Sequence, residues 1–434
     1  MEKVMSLVKK IRYKFLPYRR RFLKLFFGLS VGTTTLSAAS YVHANKRPRL
    51  RVMGTHVTLQ EELRQRAEKD IGVELIFEAK GDAALIHKAS TKPEAFDIYE
   101  HWSDSINIVW QADTIQAIDK KRLKHWSEIN ELTRTGRLTE GAKPGAGDAP
   151  HKLLYVQADD TLGSKESEQI SFMPYVHNVD SFGYNTSTIA PGKAYETESW
   201  GWLLEPAYHG KVGLINAPTI GIFDMALAAQ AQNLMQFEDL GSMTEREIDL
   251  LFEIMITKKT EGFFGGFWNS VPESIELMRS GKVAIGSMFS PAVSVLRGKG
   301  VPVTYAAPKE GYRGWHGVMC LSANVQGSVK DAAYAYMNWW LSGWPGAFVA
   351  RQGYYISNPE ASRPHMSVAE WAYWYEGSPA ATDLVGTDGR VSVRKGEISS
   401  GGAYKTRLSN VKVWNTVMPT YEYSLQRWYE LLTF

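Results

Sequence analysis

A single cysteine, Cys320, stands in 434 residues. No disulfide framework and no cysteine-ligated iron–sulfur cluster can therefore form. The chain also lacks a P-loop, a G-x-G-x-x-G following a strand and an H-E-x-x-H, and its ten histidines are scattered without metal-ligand spacing. Its one G-x-S-x-G match, Gly28-Leu29-Ser30-Val31-Gly32, falls near the N-terminus in a stretch with no strand-turn-helix elbow to hold a nucleophile. Catalysis has no anchor here, and neither a cofactor nor a metal is expected. Charge of one sign is missing too: 49 Lys and Arg face 46 Asp and Glu, which argues against bulk nucleic-acid binding. Beyond the first 44 residues no stretch is apolar over the length of a membrane span.

What is present begins with an uneven charge. Residues 1–24 carry nine Lys or Arg and one Glu, and residues 25–44 carry no charge. Subtracting that +8 from the overall +3 leaves −5 for the chain from Asn45 onward. A basic stretch, an uncharged stretch from Leu25 to Val42 and small residues ending at Val42-His43-Ala44 are the three parts of an export signal, so 1–44 is expected to be a signal peptide cleaved after Ala44. Within it Arg19-Arg20-Arg21-Phe22-Leu23-Lys24 resembles the twin-arginine signal, with Tyr18 where Ser or Thr is usual. The mature chain is expected in the periplasm.

From Leu50 short β-rich runs alternate with helical ones, the pattern of an α/β protein. Strands are expected at Leu50–Met53, Val73–Phe77, Phe96–Tyr99, Lys211–Ile215, Lys282–Met288, Val301–Ala306 and Val318–Leu321. Thr58-Leu59-Gln60-Glu61 and Thr244-Glu245-Arg246-Glu247 read as capping boxes opening helices, the first stopping before Gly72. A polar stretch from Thr133 to Glu168 reads as an inserted surface loop with a hairpin around Leu153–Val156, and an aromatic-rich helical segment is expected from Val413. Aromatics are abundant, with 14 Trp and 21 Tyr. Most should build cores, but Trp102, Phe289, Trp315 and Tyr354 sit beside Gly, Ser, His or Asp just after expected strands, where α/β sheets place ligands.

Five stretches, in this order and spacing, resemble bacterial extracellular solute-binding proteins of the spermidine/putrescine-binding type. They are Phe96-Asp97-Ile98; Met173-Pro174-Tyr175 with Phe182-Gly183-Tyr184-Asn185; Ser199-Trp200 with the run from Pro206 to Val212; Gly281-Lys282-Val283-Ala284; and Pro308-Lys309-Glu310-Gly311 leading to Trp315. The resemblance covers nearly all of 48–434. It implies a two-lobe periplasmic-binding-protein fold of type II, each lobe a mixed sheet flanked by helices, with the ligand cleft between lobes. Lobe 1 is expected to comprise 48–173 with 316–362, and lobe 2 to comprise 174–315 with 363–434. The family's cleft positions match His56, Trp102, Asp104, Phe289, Trp315, Tyr354 and Asn415. Aromatic faces there would meet a methylene chain, ring or cation, and His56, Asp104 and Asn415 would supply directional hydrogen bonds. The partners implied are a small-molecule ligand and the permease of an ABC importer; nucleic acid is not among them, and a monomer is expected.

The departures bear on the ligand. Polyamine binders place carboxylates against ammonium groups after the strand matching Lys211–Ile215 and two residues past Trp315; here those positions read Asn216-Ala217-Pro218-Thr219-Ile220-Gly221 and Gly317. An ammonium desolvated without a carboxylate costs several kcal/mol, so a polyamine is disfavoured unless Asp104 or Glu100 compensates. Arg313 and His316 would suit an anionic or zwitterionic solute instead. A periplasmic sensor subunit or an enzyme on the same fold are the remaining alternatives. Hinge closure around a ligand predicts a ligand-dependent change in tryptophan fluorescence; purified protein whose emission never moves across a solute series would count against closure. Trp315→Ala is expected to weaken ligand binding with little change in melting temperature.

Overall fold

The computed structural model describes residues 47–434. The expected signal peptide, its twin-arginine-like run and the cleavage after Ala44 lie outside the described residues. Among these residues one mixed sheet of 12 strands organises the chain. Two long strands, Met173–Asn185 and Tyr312–Ser322, run antiparallel through its middle. On one side lie Ile98–Trp102, Arg49–Gly54 and Glu74–Ala79, parallel to one another. On the other lie Ile285–Met288, Val212–Ile215 and Phe264–Trp268, again mutually parallel. Helices cover both sets. Parallel strands buried on both faces need such covering, and the fully buried Val212–Ile215 and Ile285–Met288 accordingly carry no charged residue. The architecture is the two-lobe, type II periplasmic-binding-protein fold.

The register between the long strands breaks once. Gly317 pairs with Val176 and Val318 with Pro174, which leaves Tyr175 as the extra residue of a bulge. Pro174 has no amide to donate to the ladder and is tolerated at this break. The bulge sends Tyr175 into the core beside Ile98–Trp102, where its hydroxyl meets the Glu100 carboxylate at 3.2 Å.

Most expected strands are found, shifted by a few residues. Three readings need correction. Thr58 does not cap a helix: the Glu61–Ile71 helix begins after Gln60, which makes no side-chain cap, and the Thr58 hydroxyl donates to Glu100 at 2.7 Å instead. Thr58 lies two residues before the helix's N-terminal flank and is turned to the buried carboxylate, so its oxygen does not accept from the first-turn amides as a cap would. The segment from Val413 does not start as a helix. Val411–Trp414 is a strand parallel to Tyr312–Gly314, and the helix is Tyr421–Thr433. Val-Lys-Val-Trp alternates with the strand period and is rich in β-branched residues, which favours a strand there. Finally, Val318–Leu321 is only the end of the 11-residue strand that starts at Tyr312. The second capping box does form, with Thr244 and Glu247 bonding each other's backbone amides, as does a hairpin of Tyr155–Val156 and Leu162–Gly163 inside the insertion.

Glu100 is fully buried and accepts from Thr58, Tyr175 and Tyr336, with no cation beside it. Burial pushes its carboxyl up to about 7 from an ordinary 4.5, and the three hydroxyls only partly oppose this. Its contribution to stability is therefore fully present below pH 4.5 and lost as pH rises through 7. Glu100→Gln, which mimics the protonated side chain, should remove that dependence. Urea denaturation at pH 4.5 and pH 8 should show wild type losing about 3 kcal/mol relative to the variant. A constant difference would mean that Glu100 folds ionised.

Candidate functional site

Side chains alternate faces along a strand, and residues directly opposite in an antiparallel pair share a face. The two long strands thus put Arg313, Trp315 and Gly317 on the same face as Asn178 and Asp180, since Arg313 pairs with Asp180 and Trp315 with Asn178. Trp315 is the centre of an aromatic trio. Trp102, at the end of its strand, meets it edge-on with ring centroids 4.7 Å apart, and Tyr354 does so from the other side at 5.3 Å. Trp315 and Tyr354 are buried, at 5% and 3% exposure, while Trp102 is half-buried.

Tyr354 is held by its neighbour. Gly353 has φ +83°, and a Cβ there would lie 3.0 Å from the Ser290 hydroxyl, so a glycine lets the two segments meet. Ser290 donates to the Gln352 carbonyl at 3.3 Å and accepts from Asn178 at 3.2 Å. Phe289, one residue earlier, turns to Trp268 in an edge-on contact at 5.3 Å.

Beyond Trp315 lies a buried charge cluster. The Arg313 Nε donates to Asp224 at 2.7 Å, its terminal nitrogen donates to the Asn415 side-chain oxygen at 3.0 Å, and the same nitrogen stands 3.4 Å from Asp180. The guanidinium and both carboxylates are 0–1% exposed. Burial pushes Asp180 up to about 6, with Arg313 and the adjoining Trp315 indole opposing it, and pushes Asp224 up against the same arginine. Burial also works against the Arg313 charge, but its two carboxylates outweigh that and hold it above its ordinary value. Tyr305 completes the set by donating to Asp180 at 3.2 Å.

The seven expected site residues thus divide. Trp102, Trp315 and Tyr354 form one continuous ring cluster, and Asn415 lies on Arg313 beside it. Asp104 is buried in the turn that follows Trp102. Phe289 packs with Trp268, Ile215 and Ile220, and His56 is exposed on the turn after Arg49–Gly54. Arg313 and His316 are not the exposed positive pair that an anionic solute would need. Arg313 is spoken for by Asp180 and Asp224. His316 points to the opposite face, stacks on His177 at 5.2 Å and bonds Thr133 at 3.0 Å, and burial takes it down to about 4, so it is neutral. Gly317 leaves no space for the acid of polyamine binders, because a Cβ there would lie 2.5 Å from Val176. Sequence reasoning missed Asn178, Asp180, Asp224 and Tyr305. A charged residue in a strand that otherwise carries only apolar, aromatic and neutral polar side chains, Asp180, was the available signal. Among the described residues no group of three or more His, Cys, Asp or Glu could hold a metal.

The family model of the bacterial extracellular solute-binding proteins matches residues 62–376. Solved structures share the fold at low identity. The spermidine/putrescine ABC transporter substrate-binding protein PotD of Streptococcus pneumoniae is 14% identical, with TM-score 0.58 over 89% of this chain and 98% of that one. The Tp0655 lipoprotein of Treponema pallidum is 13% identical, with TM-score 0.62 over 88% and 99%. An ABC transporter substrate-binding protein of Bradyrhizobium japonicum is 12% identical, with TM-score 0.58 over 89% and 100%.

Because Trp315 is buried against two rings, its truncation should cost stability as well as any role at the site, contrary to the small change in melting temperature expected from sequence. Trp315→Ala is expected to destabilise the free protein by about 3–5 kcal/mol, and Trp102→Ala, at a half-exposed position, by clearly less. Chemical denaturation of both variants checks the order; equal losses would mean that the half-exposed ring is as deeply packed as the central one.

Proposed function

The chain belongs to the bacterial extracellular solute-binding proteins, and we propose that it captures one small organic solute between its lobes and delivers it to the membrane permease of an ABC importer. The observation that carries this is the trio Trp102, Trp315 and Tyr354, set where the two long strands cross and flanked on the same face by Asn178, Asp180 and Arg313. Flat aromatic faces beside a few convergent polar groups are the composition of a small-molecule site. The lobes of this proposal are 48–173 with 316–362 and 174–315 with 363–434, so that Trp102 and Tyr354 come from one and Asp180, Asp224, Phe289 and Asn415 from the other. His56 and Asp104 would reach the solute from the first lobe.

A binding protein of this family needs no catalytic group. The structural relatives named above as ABC transporter substrate-binding proteins support the permease as partner. An extracytoplasmic location is consistent with family and fold, and export through the twin-arginine-like leader is part of this proposal. In the structure the three rings rest on each other, so a solute that reaches the face of Trp315 has to part them, and closure re-buries them around it.

A ligand that binds only the folded state raises the melting temperature. A thermal-shift screen of the purified protein against polyamines, monoamines, amino acids, sulfonates, phosphonates and betaines should give a shift with one chemical class. That shift should be weakened in Tyr354→Ala. No shift with any class, together with unmoved tryptophan fluorescence, would overturn solute capture.

A further inference from the structure

We infer that residues 136–147, the outer arm of the insertion, are a clasp that is rooted in the first lobe, grips an edge strand of the second and holds the proposed solute cleft shut. The inference rests on the lobe division and the solute capture proposed above.

Both roots of the arm lie in the first lobe. Ahead of it, Ile129 packs in the core that contains Leu50 and Ile98. After it, Leu153, Leu154 and Tyr155 return to that core, and Tyr155 pairs with Ile170. Between its roots the chain crosses over. Leu138 packs against the cluster that holds Tyr404, Leu408 and Val411, and the Thr139 and Ser409 hydroxyls stand 3.2 Å apart. Ala146 then forms a parallel bridge to Val413: its amide donates to the Lys412 carbonyl at 3.0 Å, and its carbonyl accepts from the Trp414 amide at 2.8 Å. The arm thereby lines one edge of Val411–Trp414, whose other edge is paired with Tyr312–Gly314. Tyr404, Leu408, Ser409 and Val411–Trp414 all belong to the second lobe of the proposal.

A glycine lets the arm approach this closely. Gly147 has φ +83°, and a Cβ on it would lie 2.7 Å from the Trp414 carbonyl oxygen. The next residue ties the lobes together beside the proposed site. The Asp148 amide donates to the Thr416 hydroxyl at 2.6 Å, and its carbonyl accepts from the Ser103 hydroxyl at 3.5 Å. Thr416 follows Asn415, and Ser103 follows Trp102. The grip is also one that can be let go. Beneath the arm runs an open groove lined by Lys143, Gln230, Glu238, Lys309 and Lys412 rather than a continuous apolar core. Hydrogen bonds at an accessible sheet edge exchange with water at small net cost. Hinge opening carries the strand away from the arm's roots, and these edge bonds are the ones that yield.

The test is small-angle X-ray scattering of the purified protein without solute. Gly147→Val drives the arm off the strand and should raise the radius of gyration above that of wild type. Thr139→Asp with Ser409→Asp sets two like charges against each other at a surface pair; it should fold even where Gly147→Val does not, and should expand the protein in the same direction. Thr139→Cys with Ser409→Cys, added to the expanded Gly147→Val protein, should restore the wild-type radius when oxidised and release it again on reduction, since Cys320 is buried and does not compete for the disulfide. Folded release variants that keep the wild-type radius would overturn the clasp. So would a cross-linked protein that stays expanded, or failure of the two cysteines to cross-link in an otherwise wild-type chain. Because the scattering uses no solute, an empty solute screen leaves this test standing, and a failed clasp leaves solute capture standing.

Discussion

The antiparallel pairing of Met173–Asn185 with Tyr312–Ser322 is the constraint on which the rest of this structure depends. These strands are 13 and 11 residues long, and the parallel strands of each lobe dock onto them. Side-chain alternation along them assigns one face to the proposed solute site and the other to packing. Arg313, Trp315, Asn178 and Asp180 fall on the first face. His177 and His316, one residue out of phase, fall on the second and stack there as neutral rings. A slip of one residue would exchange the two sets, moving the histidines to the face of Trp315 and the charged cluster to the face of Tyr355 and Tyr404. The bulge at Tyr175 stops such a slip, because it pins the register between Pro174 and Val176.

The same pairing decides which charges can exist in the interior. Arg313 and Asp180 are directly opposite, so each side chain finds a counter-charge without a long detour of the chain. Asp224 then joins from the helix that follows Val212–Ile215. A buried ion group of this kind adds little net stability over well-packed apolar side chains, but removing one member leaves an uncompensated charge. Its presence at the strand crossover therefore fits specificity better than stability. Glu100 shows the other solution: among the described residues no cation pairs with it, and three hydroxyl donors accommodate a carboxyl that burial has pushed up to about 7.

Much of the fold was legible in local pattern. The alternation of β-rich and helical runs, the Gly72 stop and the Thr244 capping box all follow from neighbours within a few residues. The aromatic trio was legible in part, because Trp102, Trp315 and Tyr354 each stand beside Gly, Ser, His or Asp near an expected strand. The rest depended on distance. Arg313 and Asp180 are separated by 133 positions, and Thr58 is captured by Glu100 from 42 positions away. No periodicity in either segment encodes those partners. Val411–Trp414 is the opposite case, since Val-Lys-Val-Trp alternates with the strand period and was legible locally as the strand that pairs with Tyr312–Gly314.

The sequence by itself determined the class of molecule: an α/β chain with one cysteine, balanced charge, no catalytic motif and abundant aromatic residues. These are properties of composition and short-range spacing, which folding does not alter. Only the tertiary structure decided that Arg313 is a buried partner of two aspartates rather than a positive group open to an anion, and that His316 is neutral. The reason is electrostatic. The charge a side chain offers to a ligand is set by its burial and by the counter-charges within a few ångströms, and those neighbours are assembled only when remote strands pair.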